Sequence, residues 1–107
     1  MARRRKLVEV EIYLPTSYND GRPIEKEPFE RTYQELIERF EAYSLKEEVH
    51  GAWIYQGKKY EEKNQVLSVV TLDTKANRQW LRSFKETLKQ RFQQIEIFMK
   101  IVPVDLI

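Results

Sequence analysis

Along this chain the spacing of apolar residues switches from two to helical and back to two, twice over. That order of switches constrains the fold more than any other feature. In Leu7–Leu14, Val8, Val10, Ile12 and Leu14 fall on one face and Glu9, Glu11 and Tyr13 on the other, which predicts a strand packed on one side. Pro15 ends it, and Asn19, Asp20, Gly21 and Pro23 supply turn chemistry. Phe29, Tyr33, Leu36, Ile37 and Phe40 then recur at helical spacing, predicting a helix over about 27–43. Pro28 suits its first turn, and Glu25, Glu27 and Glu30 suit the positive end of its dipole.

The second half repeats the pattern. Val49–Gln56 reads as a strand, Gly57–Lys58 as a hairpin turn, and Gln65–Leu72 as the most apolar strand, expected at the sheet centre. The polar stretch 60–64 between them either extends the hairpin or bulges. Asp73 or Thr74 can cap a second helix carrying Asn77, Trp80, Leu81, Phe84, Leu88 and Phe92 on one stripe. Ile95, Ile97, Met99 and Ile101 alternate as a fourth strand limited by Pro103. The order β-α-β-β-α-β, with one tight hairpin and two right-handed crossovers, predicts an α+β ferredoxin-like sandwich: four antiparallel strands with both helices on one face. Residues 1–6 are expected to be a basic arm and 7–107 a single domain.

Composition removes several chemistries. The 107 residues include no cysteine, so thiol nucleophiles, disulfides and cysteine zinc sites are excluded. One histidine, His50, leaves no multi-histidine metal site, and three glycines leave no phosphate-cradling loop. No apolar run reaches the length of about 20 residues that a membrane helix needs. No metal, cofactor or catalytic set is expected. Of 19 basic residues, Arg3, Arg4, Arg5 and Lys6 form the arm, and the remainder holds 15 basic against 17 acidic. The arm reads first as a solvated terminus and second as a weak phosphate contact. The second helix carries Lys75, Arg78, Arg82, Lys85, Lys89 and Arg91, opposite a Glu-rich first helix, so mutual screening competes with nucleic-acid binding as its explanation. The basic-Gly-aromatic motif of base-stacking sheets is missing, which argues against an RNA binder of that type.

Function candidates lie on the sheet face away from the helices and around the first loop. Tyr13, Phe98 and Val102 fall on that free face, with Glu9, Glu11, Glu96 and Lys100 among them. They are the candidate interface of a homodimer formed through this face or along an edge strand. Tyr13, Asp20, Arg22, His50 and Trp53 are the candidate pocket of a small-ligand binder or enzyme. Competing structural readings are turn formation for Asp20 and Arg22 and a surface histidine for His50. Adjacent Glu61 and Glu62 point to opposite faces of an extended chain and cannot act as a pair.

The run Gly51-x-Trp53, Gly57-Lys58 and Glu62-x-Asn64-x-Val66-Leu67, with Glu9-x-Glu11-Ile12-Tyr13 and the Asn19-Asp20-Gly21 loop, resembles a family of short bacterial proteins known only as a domain of unknown function. The resemblance spans most of 7–103. It implies a small ferredoxin-like domain and no catalytic residues or cofactor. The expectation is a cytoplasmic, non-enzymatic, self-associating binding or regulatory module. The alternatives are a small-ligand binder or enzyme, and a weak nucleic-acid binder using the arm and second helix.

Overall fold

A computed structural model of the chain describes residues 6–107. The expected arm residues Arg3, Arg4 and Arg5 lie outside them. The elements are β1 (Leu7–Pro15), α1 (Lys26–Phe40), β2 (Ser44–Tyr55), β3 (Lys58–Leu72), α2 (Lys75–Arg91) and β4 (Met99–Val104). The four strands form one antiparallel sheet in the order β2-β3-β1-β4. Val8, Val10, Ile12 and Leu14 of β1 and Leu67 and Val69 of β3 share a core with Leu36 of α1 and Leu81, Phe84 and Leu88 of α2. Both helices therefore cover one sheet face, as the α+β ferredoxin-like reading requires. The strand rich in Val and Leu, β3, is central because it is apolar on both sides.

The helix ends have local causes. Thr74 caps α2 by accepting the Asn77 backbone N–H at 3.0 Å, while Asp73 is engaged with Arg78. α1 stops three residues earlier than its spacing predicts. Glu41 turns left-handed (φ 66°) and returns its N–H to the Ile37 carbonyl, and Tyr43 then stacks on Tyr33. The helices are tied across their interface by Arg91, whose side chain is only 9% exposed. It donates to the Thr32 hydroxyl at 2.9 Å and to the Glu35 carboxylate at 2.5 Å.

Two strand expectations need correction. β4 begins at Met99 rather than Ile95. Gln93 is left-handed (φ 53°), and the Glu96 side chain takes the Ile97 N–H that a ladder would use. Pro103 does not end β4 but sits inside it opposite Val8. β4 is an edge strand, where one row of N–H groups has no ladder partner and proline is tolerated.

The hairpin is longer than its apolar segments suggest. Its two central turn residues are Gln56 (φ 50°) and Gly57 (φ 76°), one position before the expected pair. Positive φ at both is the type I′ geometry that matches strand twist. Lys58 opens β3, whose 15 residues include the polar stretch 58–64. β2 pairs along this whole arm, interrupted by a bulge between Leu45 and Glu48.

Candidate functional site

The bulge decides what the hairpin presents. Leu45 is opposite the core residue Leu67, so it lies on the helix side. One extra residue in β2 reverses the alternation. Beyond it Val49, Gly51 and Trp53 pair with Asn64, Glu62 and Tyr60, on the same face as Tyr13. Without the bulge Trp53 would face the helix side. The bulge is held by the Gln65 amide, which donates to the Lys46 carbonyl at 2.6 Å.

The free face falls into three zones. At the centre Lys46 lies 3.3 Å from Glu9 and 3.2 Å from Glu11, Lys100 lies 3.4 Å from Glu11, and Ser68 donates to Glu9 at 2.5 Å. The Ser68 hydroxyl, then Lys46, hold the Glu9 carboxyl below its ordinary pKa, against burial. Hydrogen bonds to Glu11 and Glu9 raise Lys46. Val70 and Val102 flank Glu9 at one end. Tyr13 and Phe98 meet edge-to-face at 5.0 Å at the other. The expected interface trio is thus divided. Tyr13 and Phe98 are neighbours, but a charged network separates Val102 from them.

Beside Tyr13 and Phe98 lies a cleft of about 380 Å³. Its lining includes Tyr13, Val49, Gly51, Trp53, Glu62 and Phe98. Trp53 stacks on Tyr60 at 4.9 Å and donates its indole N–H to Glu62 at 2.8 Å. The other Glu62 oxygen accepts from the Asn64 amide at 3.4 Å. Glu96 lines the rim and is held by Lys85 at 3.0 Å, which lowers its pKa. Among the described residues, no lysine, arginine or histidine lines this cleft.

The five candidate pocket residues do not converge. Tyr13 and Trp53 share the cleft just described. His50 is on the opposite side of the hairpin, lining an open groove of about 950 Å³ with Tyr18, Asn19, Gly21 and Lys63. Asp20 and Arg22 line neither. They bind each other: Asp20 accepts from the Arg22 guanidinium at 2.6 Å and from its backbone N–H at 3.0 Å. Those two bonds hold Asp20 below the ordinary carboxyl range. Arg22 also covers the Tyr18 ring at 5.0 Å. The turn reading accounts for both residues. Val49, Gly51 and Lys46 are β2 residues that sequence reasoning left out of the site, because the bulge that sets their face leaves no mark in apolar spacing; Glu62, on β3, was weighed only as one of an adjacent pair with Glu61.

Four of the six basic residues on α2 have carboxylate partners: Arg78 with Asp73, Lys85 with Glu96, Lys89 with Glu86 and Arg91 with Glu35. Only the last crosses to α1. Lys75 and Arg82 have no carboxylate partner among the described residues. The described residues contain no group of three or more His, Asp or Glu side chains placed to hold a metal ion. No helix among them is long and apolar enough to cross a membrane.

No family model matches the sequence, and no curated protein sequence matches it. The resemblance to a domain of unknown function therefore reaches only as far as the fold it implied. Solved structures resemble this one over nearly the whole chain. A phage SAM lyase in complex with S-methyl-5′-thioadenosine aligns with TM-score 0.69 at 14% identity, covering 98% of this chain and 91% of the other. CutA1 from Oryza sativa aligns with TM-score 0.63 at 13% identity, covering 95% and 83%. The divalent cation tolerance protein CutA1 from Thermus thermophilus aligns with TM-score 0.62 at 17% identity, covering 94% and 85%. At these identities the likeness is one of fold.

Proposed function

We propose that this chain is a non-enzymatic binding module that self-associates through the outer edge of its hairpin, with a homodimer as the expected assembly. The observation that carries this reading is β2 itself. It is an edge strand of 12 residues, and every position but Trp53 is exposed. Its apolar residues include Ile54 at 72% exposure, with Leu45, Val49 and Tyr55 also exposed. A long unpaired edge bearing apolar side chains pairs readily with another strand unless something covers it. A second copy of the chain offers the same edge in return, as a two-fold interface requires. The bacterial cytoplasm expected from sequence remains part of this proposal.

Light scattering during size exclusion tests it. The expected mass is twice the 13.0 kDa of one chain. Ile54→Lys, which places a charge on the edge, should return the mass of one chain with the fold intact by circular dichroism. A wild-type mass of one chain at every concentration would contradict the proposal.

A second reading is favoured by the free-face cleft. At about 380 Å³, walled by three aromatic rings and floored by a hydrogen-bonded carboxylate, it has the size and chemistry of a small-ligand site. The phage SAM lyase shows that a protein of this fold can hold a small ligand.

A further inference from the structure

We infer that the free-face cleft selects an organic cation with a flat or apolar body, held by the Glu62 carboxylate between Tyr13, Trp53 and Phe98. The inference rests on the second reading above and specifies its ligand.

Glu62 is the reason. Each other carboxylate on the free face described above, Glu9, Glu11 and Glu96, has a lysine within 3.4 Å. Glu62 has no cationic partner among the described residues. Its hydrogen bonds come only from neutral donors, the Trp53 indole and the Asn64 amide. A half-buried carboxylate attracts a positive charge more strongly than an exposed one, and none lines the cleft among the described residues. The walls fit the same ligand. Aromatic faces attract a cation through their quadrupoles, and they bury the apolar body attached to it. An anion would meet the Glu62 carboxylate with no cation among the described lining residues to offset it. Space is provided by Gly51, opposite Glu62 in the ladder: a Cβ built there meets nothing within 4 Å. A larger side chain at this position would occupy the cleft.

The test uses benzyltrimethylammonium, followed through the two tryptophan indole signals in ¹H–¹⁵N spectra. The Trp53 signal should shift in a saturable way, and that of Trp80, packed between Phe40 and Phe84, should not. Benzenesulfonate, with the same ring and opposite charge, should shift neither. Glu62→Gln preserves an acceptor for Trp53 and removes the charge, so affinity for the cation should fall about fivefold or more, while neutral benzyl alcohol is unaffected. Gly51→Val should abolish binding of both rings while circular dichroism shows the fold retained. If benzyl alcohol binds as well as the cation and Glu62→Gln changes neither, the cation assignment is wrong and the small-ligand reading stands. If no ring of any charge produces a saturable shift, both are wrong.

Discussion

Trp53 and Glu62 are joined by an indole N–H bond of 2.8 Å across the two arms of the hairpin, on the sheet face that no helix covers. That placement depends on the extra residue that β2 carries between Leu45 and Glu48. The same bulge carries Lys46 over Glu9 and Glu11. One backbone irregularity thus both neutralises the middle of the free face and turns the tryptophan toward the cleft.

The cap of α2 should be measurable by itself. Thr74→Ala removes the acceptor for the Asn77 N–H and should cost about 1 kcal/mol in urea unfolding at fixed protein concentration. Thr74→Ser should recover most of it. Asp73→Asn weakens only the partly exposed contact with Arg78 and should cost less.

The hairpin turn holds a non-glycine residue in left-handed backbone. Gln56 at φ 50° is strained, and asparagine tolerates that region better. Gln56→Asn should therefore stabilise the protein by roughly 0.5 kcal/mol. Gly57→Ala, at φ 76°, should destabilise it by about 1 kcal/mol. Thermal melts of the two variants should move in opposite directions.

Arg91 links the helices through one nearly buried guanidinium. Arg91→Leu removes bonds to Thr32 and Glu35 and should cost about 1.5–3 kcal/mol in chemical unfolding. Arg91→Lys should recover only part of it, since one ammonium lacks the fork that reaches both partners.

Stability should depend on pH at both extremes and be flat between them. Ser68 holds Glu9, and Lys85 holds Glu96, below the ordinary value of 4.5. Protons therefore bind the unfolded chain more tightly than the folded one. The contribution of these carboxylates is complete above about pH 4.5 and is lost as pH falls through their folded values. Lys46 is raised above 10.5, so its contribution holds below that value and disappears as pH rises through the folded one. Unfolding free energies across pH should show a neutral plateau with an acid limb. A maximum near pH 3 would contradict this ion-pair account.

The fold was legible where one physical demand dominated. Val8 to Leu14 alternate because one side of β1 meets the helices, and the α2 stripe from Trp80 to Leu88 is set by burial. A cap at Asp73 or Thr74 could be read because capping is local, and the structure selects Thr74. The distal hairpin was less legible. Lys58–Asn64 stays extended through pairing with β2, although its composition is polar. The site was half legible. Tyr13 and Trp53, grouped in the sequence reading, do line one cleft, but parity counted along β2 cannot foresee a bulge. Asp20 and Arg22 carry the charges of a binding loop, and those charges are spent on each other.

Hydrogen exchange at the β2 amides that do not bond to β3 tests the proposed assembly most directly. If copies pair along this edge, these amides slow as protein concentration rises, and Ile54→Lys restores fast exchange. If they exchange at unprotected rates at every concentration while the β3 amides stay protected, β2 is a free edge and the self-association account is wrong.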